Sequence, residues 1–326
     1  MAGLGALAGV LSGGDWPWVV LTYLRWPQVV VGTVATIVLA GLRWWRSTLA
    51  SGAVTAALIA SVVGPLTALR TVDRPSGDTL RVVVFNTGAR NDDVAAIAAA
   101  VRSADPDVAV LLESEDVAGA VDRRLDELTR LELPAVDGAE LAPIVFARHD
   151  WPVAIEPLAE HRPVTVVTVD LDGRPVDIIA AHPLPPVTPE WARSHDRAIA
   201  ALTGGEGERQ RAGGRGAQGE GERQRAGGRG AQGEGVLSRE RPYVLACDCN
   251  TTPWTPSMQR LLDIGLREPT VAATFAAPVI GIPTDHVLLS SELAAVSRGL
   301  GPFAGSDHRL IVTEITWLRS PTRTAR

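Results

Sequence analysis

The chain divides into an apolar N-terminal region and a longer region in which short apolar runs alternate with polar ones. Residues 26–42 and 47–69 carry no charge, and the link Arg-Trp-Trp-Arg at 43–46 joins the two runs. Each run is close to the roughly 20 apolar residues that a bilayer-spanning helix needs, and Trp residues flank the runs as they flank membrane spans. We therefore predict a transmembrane helical hairpin within residues 1–70, with a third span over residues 1–24 left open.

Two other interpretations of this region are weaker. A cleavable signal peptide would have one short apolar run behind a basic start, whereas this region has two long runs and no basic start. Buried helices of a soluble protein would carry a polar stripe, and residues 47–69 show none. The Arg residues on the two sides of the hairpin do not settle its orientation.

Polar segments follow the hairpin and interrupt the rest of the chain. Residues 71–79 are expected to form a short linker of at most about 30 Å, which would keep the next domain close to the bilayer. Residues 205–218 are repeated identically at 219–232. Because residues 204–235 offer almost no apolar surface to bury, we expect a disordered insertion there. A tolerated repeat expansion explains this tract better than a nucleic-acid-binding one, since its Glu residues dilute the Arg charge.

Residues 80–317 alternate β-branched runs with helical spacing, which predicts one α+β domain followed by a disordered tail over residues 318–326. Six predicted strands begin or end beside an Asn, Glu, His or Asp. Side chains at strand ends are held on a rigid scaffold, so we expect these polar residues to form one pocket. The residues concerned are Asn86, Glu113, His182, Asp248, Asn250, Asp285, Asp307 and His308.

These residue types favour one kind of chemistry. Carboxylate and Asn oxygens bind hard divalent cations such as Mg²⁺, with Mn²⁺ also possible, and His beside a carboxylate transfers protons or stabilises phosphoryl charge. Taken singly, Asp248 or Asp307 could be an ordinary turn or cap residue, whereas Glu113 at the end of a buried strand needs a partner. His195 and His286 are assigned to packing or local contacts.

Composition narrows the function classes. Hydrophobic residues make up 46% of the chain, which excludes wholesale disorder. There are 31 Arg and no Lys against 37 acidic residues, and the net charge of −6 disfavours a general nucleic-acid binder. Two cysteines, Cys247 and Cys249, are too few for a disulfide scaffold. Their spacing on a predicted strand is poor for a strain-free disulfide, so we expect them to stay unpaired.

In this order, six segments resemble motifs of the endonuclease/exonuclease/phosphatase superfamily of metal-dependent phosphoesterases: VVVFN (82–86), DPDVAVLLE (105–113), AAHPLPP (180–186), LACDCNTTPW (245–254), PTDHVLLS (283–290) and GSDHRLIVTEI (305–315). Where the family has Gly-Asp-Phe-Asn, this chain has Cys247-Asp248-Cys249-Asn250, which keeps the Asp and the Asn. The resemblance implies a DNase I-like, four-layer α/β/β/α sandwich, here preceded by N-terminal transmembrane helices.

The resemblance also implies a role for each site residue. Glu113 would be the principal metal ligand, with Asn86 close to the metal and the phosphate, and Asp307 would support the metal or the water. Asp248 would orient or deprotonate the attacking water. Asn250 would hold a phosphate oxygen.

Three further residues complete the implied site. His308 would contact the scissile phosphate, and Asp285 would fix its tautomer. His182 would donate a hydrogen bond to the phosphate or protonate the leaving oxygen. Together, the implied residues define a metal-dependent hydrolase acting on phosphoric ester bonds.

The order of the regions, membrane spans followed by this domain, resembles membrane-anchored actinobacterial members, including the VanJ-like teicoplanin-resistance proteins. It implies a multi-pass protein of the cell membrane whose extracytoplasmic domain acts on a lipid-linked or small phosphodiester or pyrophosphate, with the lipid bilayer as partner. One alternative is an extracytoplasmic nuclease for DNA or RNA, which the acidic domain disfavours. Another is a non-catalytic membrane-bound binding module, which would be expected to have lost site residues. The sequence indicates no particular oligomeric state.

Overall fold

The computed structural model describes residues 16–67, 77–135, 142–158, 161–204, 235–267, 270, 272–276 and 281–318. Four of the segments predicted above fall largely outside these residues. They are the start of the open third span, most of the linker 71–79, the repeat 205–232 and the tail 318–326 except its first residue.

The N-terminal region forms a short helix and then two long ones. Helix α1 is Trp18–Tyr23, α2 is Arg25–Gly41 and α3 is Trp45–Thr67. The six residues of α1 rise only about 9 Å, so this helix cannot cross a bilayer. In the described part of the chain one helix, Trp45–Val63, is both long and apolar enough to do so. The 17-residue α2 falls just short in length, so the pair of transmembrane helices stays a prediction.

Helices α2 and α3 form a tight antiparallel pair. Thr36 Oγ1 lies 2.8 Å from Ser51 Oγ. One turn away, a Cβ at Gly32 would come within 2.5 Å of Thr55 Oγ1. Only a glycine therefore allows this close approach, which is the small-residue packing that helices use inside membranes.

The soluble domain is built on two mixed sheets. Its strands within the described residues are β1 Leu80–Asn86, β2 Val108–Leu112, β3 Thr129–Arg130, β4 Ile144–Ala147, β5 Val153–Leu158, β6 His161–Leu171, β7 Arg174–Ala181, β8 Tyr243–Asp248, β9 Phe275–Ala276, β10 Gly281–Ile282, β11 Asp285–Leu289, β12 Leu293–Leu300 and β13 Ile311–Trp317. The first sheet has the order β12-β13-β1-β2-β4-β3 and the second the order β11-β8-β7-β6-β5, while β9 and β10 form a small pair. The strands predicted at residues 108–112 and 144–147 are β2 and β4 with the same bounds.

Three apolar clusters show that the domain has four layers. One cluster joins the inner faces of the two sheets, for example Val82 and Val84 with Ile178 and Val244. The outer face of the first sheet packs on helices α4 Val94–Ala104 and α5 Ala118–Asp122. The outer face of the second sheet packs on α6 Pro189–Thr203 and α7 Pro256–Asp263. This α/β/β/α arrangement is the predicted sandwich, and it follows from strands whose alternate side chains face opposite layers.

The start of α4 differs in detail from the sequence analysis, which favours Asn91 as the residue before the helix because Asp92 and Asp93 suit its first turn. The cap is Asp93, whose carboxylate accepts the N–H of Ala96 at 2.9 Å. Asn91 instead accepts the N–H of Asp93 at 3.1 Å and closes the preceding turn. An N-cap must directly precede the first helical residue, here Val94, and Asn91 is two positions too early.

The expectation of unpaired cysteines is wrong. Cys247 and Cys249 are joined by a disulfide, with their Cα atoms 5.0 Å apart. In an extended strand, residues two apart are separated by about 6.6 Å. Strand β8 ends at Asp248, and Asn250 has a φ of 45°. The chain therefore bends at this point and brings the two cysteines within disulfide range.

Candidate active site

The pairing of strands gathers polar residues at one end of the sandwich. Parallel β1 and β2 place Asn86 next to Glu113. Parallel β7 and β8 set His182 level with Asp248. In the neighbouring antiparallel strand β11, Asp285 is paired directly with Asp248. The expected convergence of polar strand ends is thus a product of sheet register.

The first part of the site is a pair of carboxylates bridged by one amide. Asn86 Nδ2 donates to Glu113 Oε1 at 3.2 Å and to Asp248 Oδ2 at 3.0 Å. Glu113 Oε2 accepts the main-chain N–H of Ala89 at 2.9 Å. Glu113 has a φ of 52°, a conformation that costs a non-glycine residue about 1–3 kcal/mol and is found at functional sites. The amide therefore holds two acids from different sheets side by side.

His182 lies against the same two carboxylates. Its Nε2 is 3.5 Å from Glu113 Oε1 and 3.6 Å from Asp248 Oδ2, and the residue is buried. A histidine between two acids can donate a hydrogen bond to an anionic substrate or pass a proton to a leaving oxygen.

His308 and Asp285 form a second histidine–carboxylate unit. His308 Nδ1 lies 2.9 Å from Asp285 Oδ2, and His308 Nε2 lies 3.8 Å from Asp248 Oδ2. Burial lowers the pKa of His308, but the hydrogen bond to Asp285 and the charge of Asp248 outweigh it, so the pKa rises to about 9. The ring is therefore positively charged at neutral pH.

Asp248 is the centre of the cluster. It is fully buried, and its Oδ1 accepts the main-chain N–H of Asn250 at 3.1 Å. Burial raises the pKa of Asp248, and the nearby charge of Asp285 raises it further, against the opposing effect of His308 and His182. A buried carboxylate with a raised pKa is suited to take a proton from water.

All of these residues lie in the part of the chain that matches a family model. Residues 83–308, more than half of the chain, match the model described as the Endonuclease/Exonuclease/phosphatase family. The chain belongs to this family. Members of the superfamily are hydrolases that act on phosphoester bonds.

Solved structures share the fold of the endonuclease/exonuclease/phosphatase domain. The endonuclease/exonuclease/phosphatase from Bacteroides vulgatus is 12% identical, with 74% of this chain and 100% of that chain covered and a TM-score of 0.53. A humanized D. rerio TDP2 is 11% identical, with coverages of 73% and 99% and a TM-score of 0.50. The family protein from Beutenbergia cavernae is 19% identical, with coverages of 76% and 73% and a TM-score of 0.46. A sequence comparison with curated proteins finds no significant match.

The donor set of this family site fits a hard divalent cation. Asp248, Asp285 and His308 each offer a ligand atom, and these atoms lie within 4.8 Å of one another. Asp285 Oδ1 is buried and accepts no hydrogen bond from any residue that the structure describes. With Glu113, the pocket holds three carboxylates against two histidines, a negative surplus that a divalent cation would offset.

Asn250 and Asp307, the other two predicted site residues, lie beside the cluster. Asn250 directly follows β8, and its Nδ2 donates to the carbonyl of Pro183 at 2.9 Å. Asp307 is exposed next to His308, close enough for its charge to raise the pKa of that histidine. The structure thus brings six of the eight predicted residues into one cluster and leaves these two at its edge.

Two residues of the site were missed by the sequence analysis. Ser306 Oγ donates to the carbonyl of Asn86 at 2.8 Å and accepts the N–H of His308 at 2.9 Å. Tyr23, from helix α1, donates its hydroxyl to the main-chain carbonyl of Asn250. The Ser before Asp-His is a recognisable turn residue. Nothing in the sequence signals Tyr23, because its contact joins residues 227 positions apart.

The two histidines expected to be structural have structural contacts. His286 Nε2 lies 2.8 Å from the carbonyl of Thr251, and His286 Nδ1 accepts the N–H of Thr270 at 3.0 Å. Burial lowers the pKa of His286 to about 4. His195 is buried and places Nδ1 3.1 Å from the carbonyl of Leu184.

Proposed function

We propose that this protein is a membrane-anchored, divalent-metal-dependent phosphoesterase of the cell envelope. Its substrate would be a lipid-linked or small phosphodiester or pyrophosphate. One observation carries the proposal: the Asn250 turn of the catalytic cluster is in direct contact with Tyr23 of the anchor region. A pocket that touches its own anchor is suited to a substrate presented at the bilayer surface.

Glu113 and Asp248 are the residues we assign to the cation, with Mg²⁺ as the first candidate and Mn²⁺ as the second. Asn86 already holds their carboxylates together. When bound, the cation supplies positive charge to the phosphoryl oxygens and lowers the pKa of bound water. The His308–Asp285 pair is closed by its own 2.9 Å hydrogen bond, so we assign it to the substrate phosphate.

Proton transfer is assigned to the remaining groups. Asp248, whose pKa is raised, would accept the proton of the attacking water. His308, kept cationic by Asp285, would donate a hydrogen bond to the phosphoryl oxygen and stabilise charge that grows in the transition state. His182, on the other side of Asp248, would protonate the leaving oxygen.

The helical hairpin has the surface of a membrane anchor. Large apolar side chains point outward along both helices, with Ile37 66% exposed and Leu49 73% exposed. Exposed Trp residues occupy both ends, Trp18 and Trp26 near the domain and Trp45 at the link. A soluble domain rarely leaves so large an apolar surface uncovered, and Trp at both ends is the pattern of a bilayer-spanning hairpin.

An extracytoplasmic location is supported by the disulfide between Cys247 and Cys249. Disulfides persist in oxidising compartments and are rare in the cytosol. The layout resembles the VanJ-like members named above, which favours the same side. Protease added to intact spheroplasts would digest an outward-facing domain, and full protection would contradict this location.

A substrate screen tests the proposed function. The full chain, in nanodiscs with Mg²⁺, is offered bis-p-nitrophenyl phosphate, a prenyl pyrophosphate and plasmid DNA. We expect turnover of one of the first two, its loss with EDTA, and poor cleavage of DNA because the domain after residue 79 carries a net charge of −8. Preferred cleavage of DNA would favour the nuclease alternative, and no turnover at all would favour the binding module.

A matched pair of variants tests the site. Glu113→Gln should lower the rate by a factor on the order of 100 or more, because it removes an electrostatic contact made in the transition state. Glu115→Gln, an exposed acid two residues along, should leave the rate unchanged. Equal rates for the two variants would refute the role of Glu113.

A further inference from the structure

The part of the anchor nearest the site has a buried polar face. Buried positions recur every third residue through α1 and the start of α2, at Val19, Thr22, Arg25 and Gln28. Arg25 is only 4% exposed and Gln28 only 8%. A long cationic side chain at a helix end would normally extend its charged group into water, and the low exposure of Arg25 shows that it does not.

Arg25 has no anionic partner among the residues that the structure describes. Its Nε is buried without an acceptor, and the Oε1 of Gln28 is buried without a donor. The amide Nε2 of Gln28 is occupied, since it donates to the carbonyl of Leu21 at 2.8 Å. An unpaired buried guanidinium is strongly unfavourable, and an ionisable group inside a membrane region is a marker of function. The observation points to a missing anion.

The helix register places Arg25 at the domain end of the hairpin. Thr36 faces Ser51 and Gly32 faces Thr55, so the antiparallel pairing continued toward the domain sets Arg25 level with Val62. Val62 is also buried, with 1% exposure. In a bilayer-spanning hairpin this end lies at the depth of the lipid headgroups, where phosphate is the abundant anion.

The same end of the anchor meets the catalytic pocket. Tyr23, two residues before Arg25, donates its hydroxyl to the carbonyl of Asn250. Asn250 in turn donates its main-chain N–H to Asp248. A short chain of contacts therefore connects the buried guanidinium region with the central carboxylate of the site.

We propose that Arg25 and Gln28 form a headgroup site that binds the phosphate of a membrane lipid at the mouth of the catalytic pocket. Arg25 would hold the phosphate, and the free Oε1 of Gln28 would accept a hydrogen bond from a hydroxyl of the same headgroup. This inference rests on the proposed membrane anchoring. It concerns binding beside the reaction centre and requires no turnover.

The test measures the thermal stability of the full chain in detergent with EDTA present. The probes are dihexanoylphosphatidylglycerol, which has a phosphate and hydroxyls, and inorganic phosphate. The variants are Arg25→Met, which keeps the length and removes the charge, and Arg46→Met, an exposed control at the opposite end of the hairpin. Gln28→Leu tests the hydroxyl contact.

The expected result for Arg25→Met is a crossed pattern. Without a probe the variant should melt higher than the wild type, because an uncompensated buried charge is removed. With the lipid probe it should bind on the order of tenfold more weakly or worse, because a charge-assisted hydrogen bond is lost. A purely structural Arg25 would instead give a lower melting temperature without a probe. Arg46→Met should behave like the wild type in both conditions.

The two probes separate the sources of the phosphate. Stabilisation by the lipid probe alone, reduced by Gln28→Leu, supports a headgroup site. Equal stabilisation by inorganic phosphate, lost in Arg25→Met, supports a phosphate site without headgroup recognition and overturns the role of Gln28. Stabilisation that does not depend on Arg25, or its absence, overturns the proposal. Because the readout is binding, an enzyme inactive on every phosphoester would refute the proposed function separately.

Discussion

Replacing Asp285 by Asn should convert a charge in the active site into a pH-dependent defect. Asp285 is fully buried and accepts the hydrogen bond of His308 Nδ1 at 2.9 Å. An Asn oxygen can accept the same bond, so the ring should keep its orientation while the negative charge is lost. Burial, which lowers the pKa of His308, then faces less opposition.

The magnitude follows from the pKa of His308. In the wild type this pKa is about 9, so the ring is protonated below that pH. In Asp285→Asn we expect it to fall to the ordinary value of about 6.5 or lower, a change of roughly 3 kcal/mol in the preference for the charged form. The protonated fraction at pH 8 would drop from about nine-tenths to about 3%, and the rate should fall about 30-fold if the imidazolium is required. At pH 5.5 most of the rate should return.

The assay is release of p-nitrophenol from bis-p-nitrophenyl phosphate between pH 5.5 and 9.5, with each time point stopped in base. Thr284→Val is the control, because Thr284 Oγ1 also contacts Asp285 Oδ2, at 3.1 Å, and its loss leaves the charge in place. A defect of the same size at pH 5.5 and pH 8 would refute the reasoning. A higher Mg²⁺ requirement with an unmoved pH profile would instead identify Asp285 as a metal ligand.

Three other outcomes are expected. The pKa of His286 is lowered to about 4 by burial, so its contribution of up to about 3 kcal/mol is present above pH 6.5 and lost as the pH falls toward 4; urea unfolding of wild type and His286→Asn should show a flatter pH dependence in the variant, and parallel curves would contradict this. Asp177 is buried and accepts from Arg239 Nη1 at 2.9 Å, so Asp177→Ala should cost about 3–5 kcal/mol of unfolding free energy, with turnover per folded molecule unchanged; a loss below 1 kcal/mol would show that the pair is dispensable. Ser306→Ala removes the acceptor of the His308 N–H and should lower kcat about tenfold with KM unchanged, whereas a change in KM alone would place Ser306 in substrate binding.

Interior strands were the elements that the sequence predicted best. Strands such as β2 and β4 are buried on both faces, so they appear as continuous apolar runs bounded by polar residues. Strands β5 and β12 lie at the edges of their sheets and were missed. The partly exposed pattern of β5 and its Pro157, like the bulge between Ala295 and Ser297 in β12, weaken the alternation that identifies a strand.

The order of motifs along the chain determined which residues belong to the site. Asn86, Glu113, Asp248, Asp285 and His308 all stand at the ends of apolar runs, and the sequence alone contains that fact. Their distances, the bridge made by the Asn86 amide and the pairing of His308 with Asp285 depend on the register between strands far apart in the chain. A sequence states which side chain follows a strand but not which strand lies beside it.

Contacts between regions were decided only by the tertiary structure. Cys247 and Cys249 pair because the chain bends after β8, a local geometry that strand spacing does not reveal. The contact of Tyr23 with the Asn250 turn and the burial of Arg25 depend on how the anchor packs against the domain. The sequence determined the helices, the interior strands and the chemical groups, because those follow from local periodicity and residue type. The through-space contacts that make a site from these groups arise only when the layers pack together.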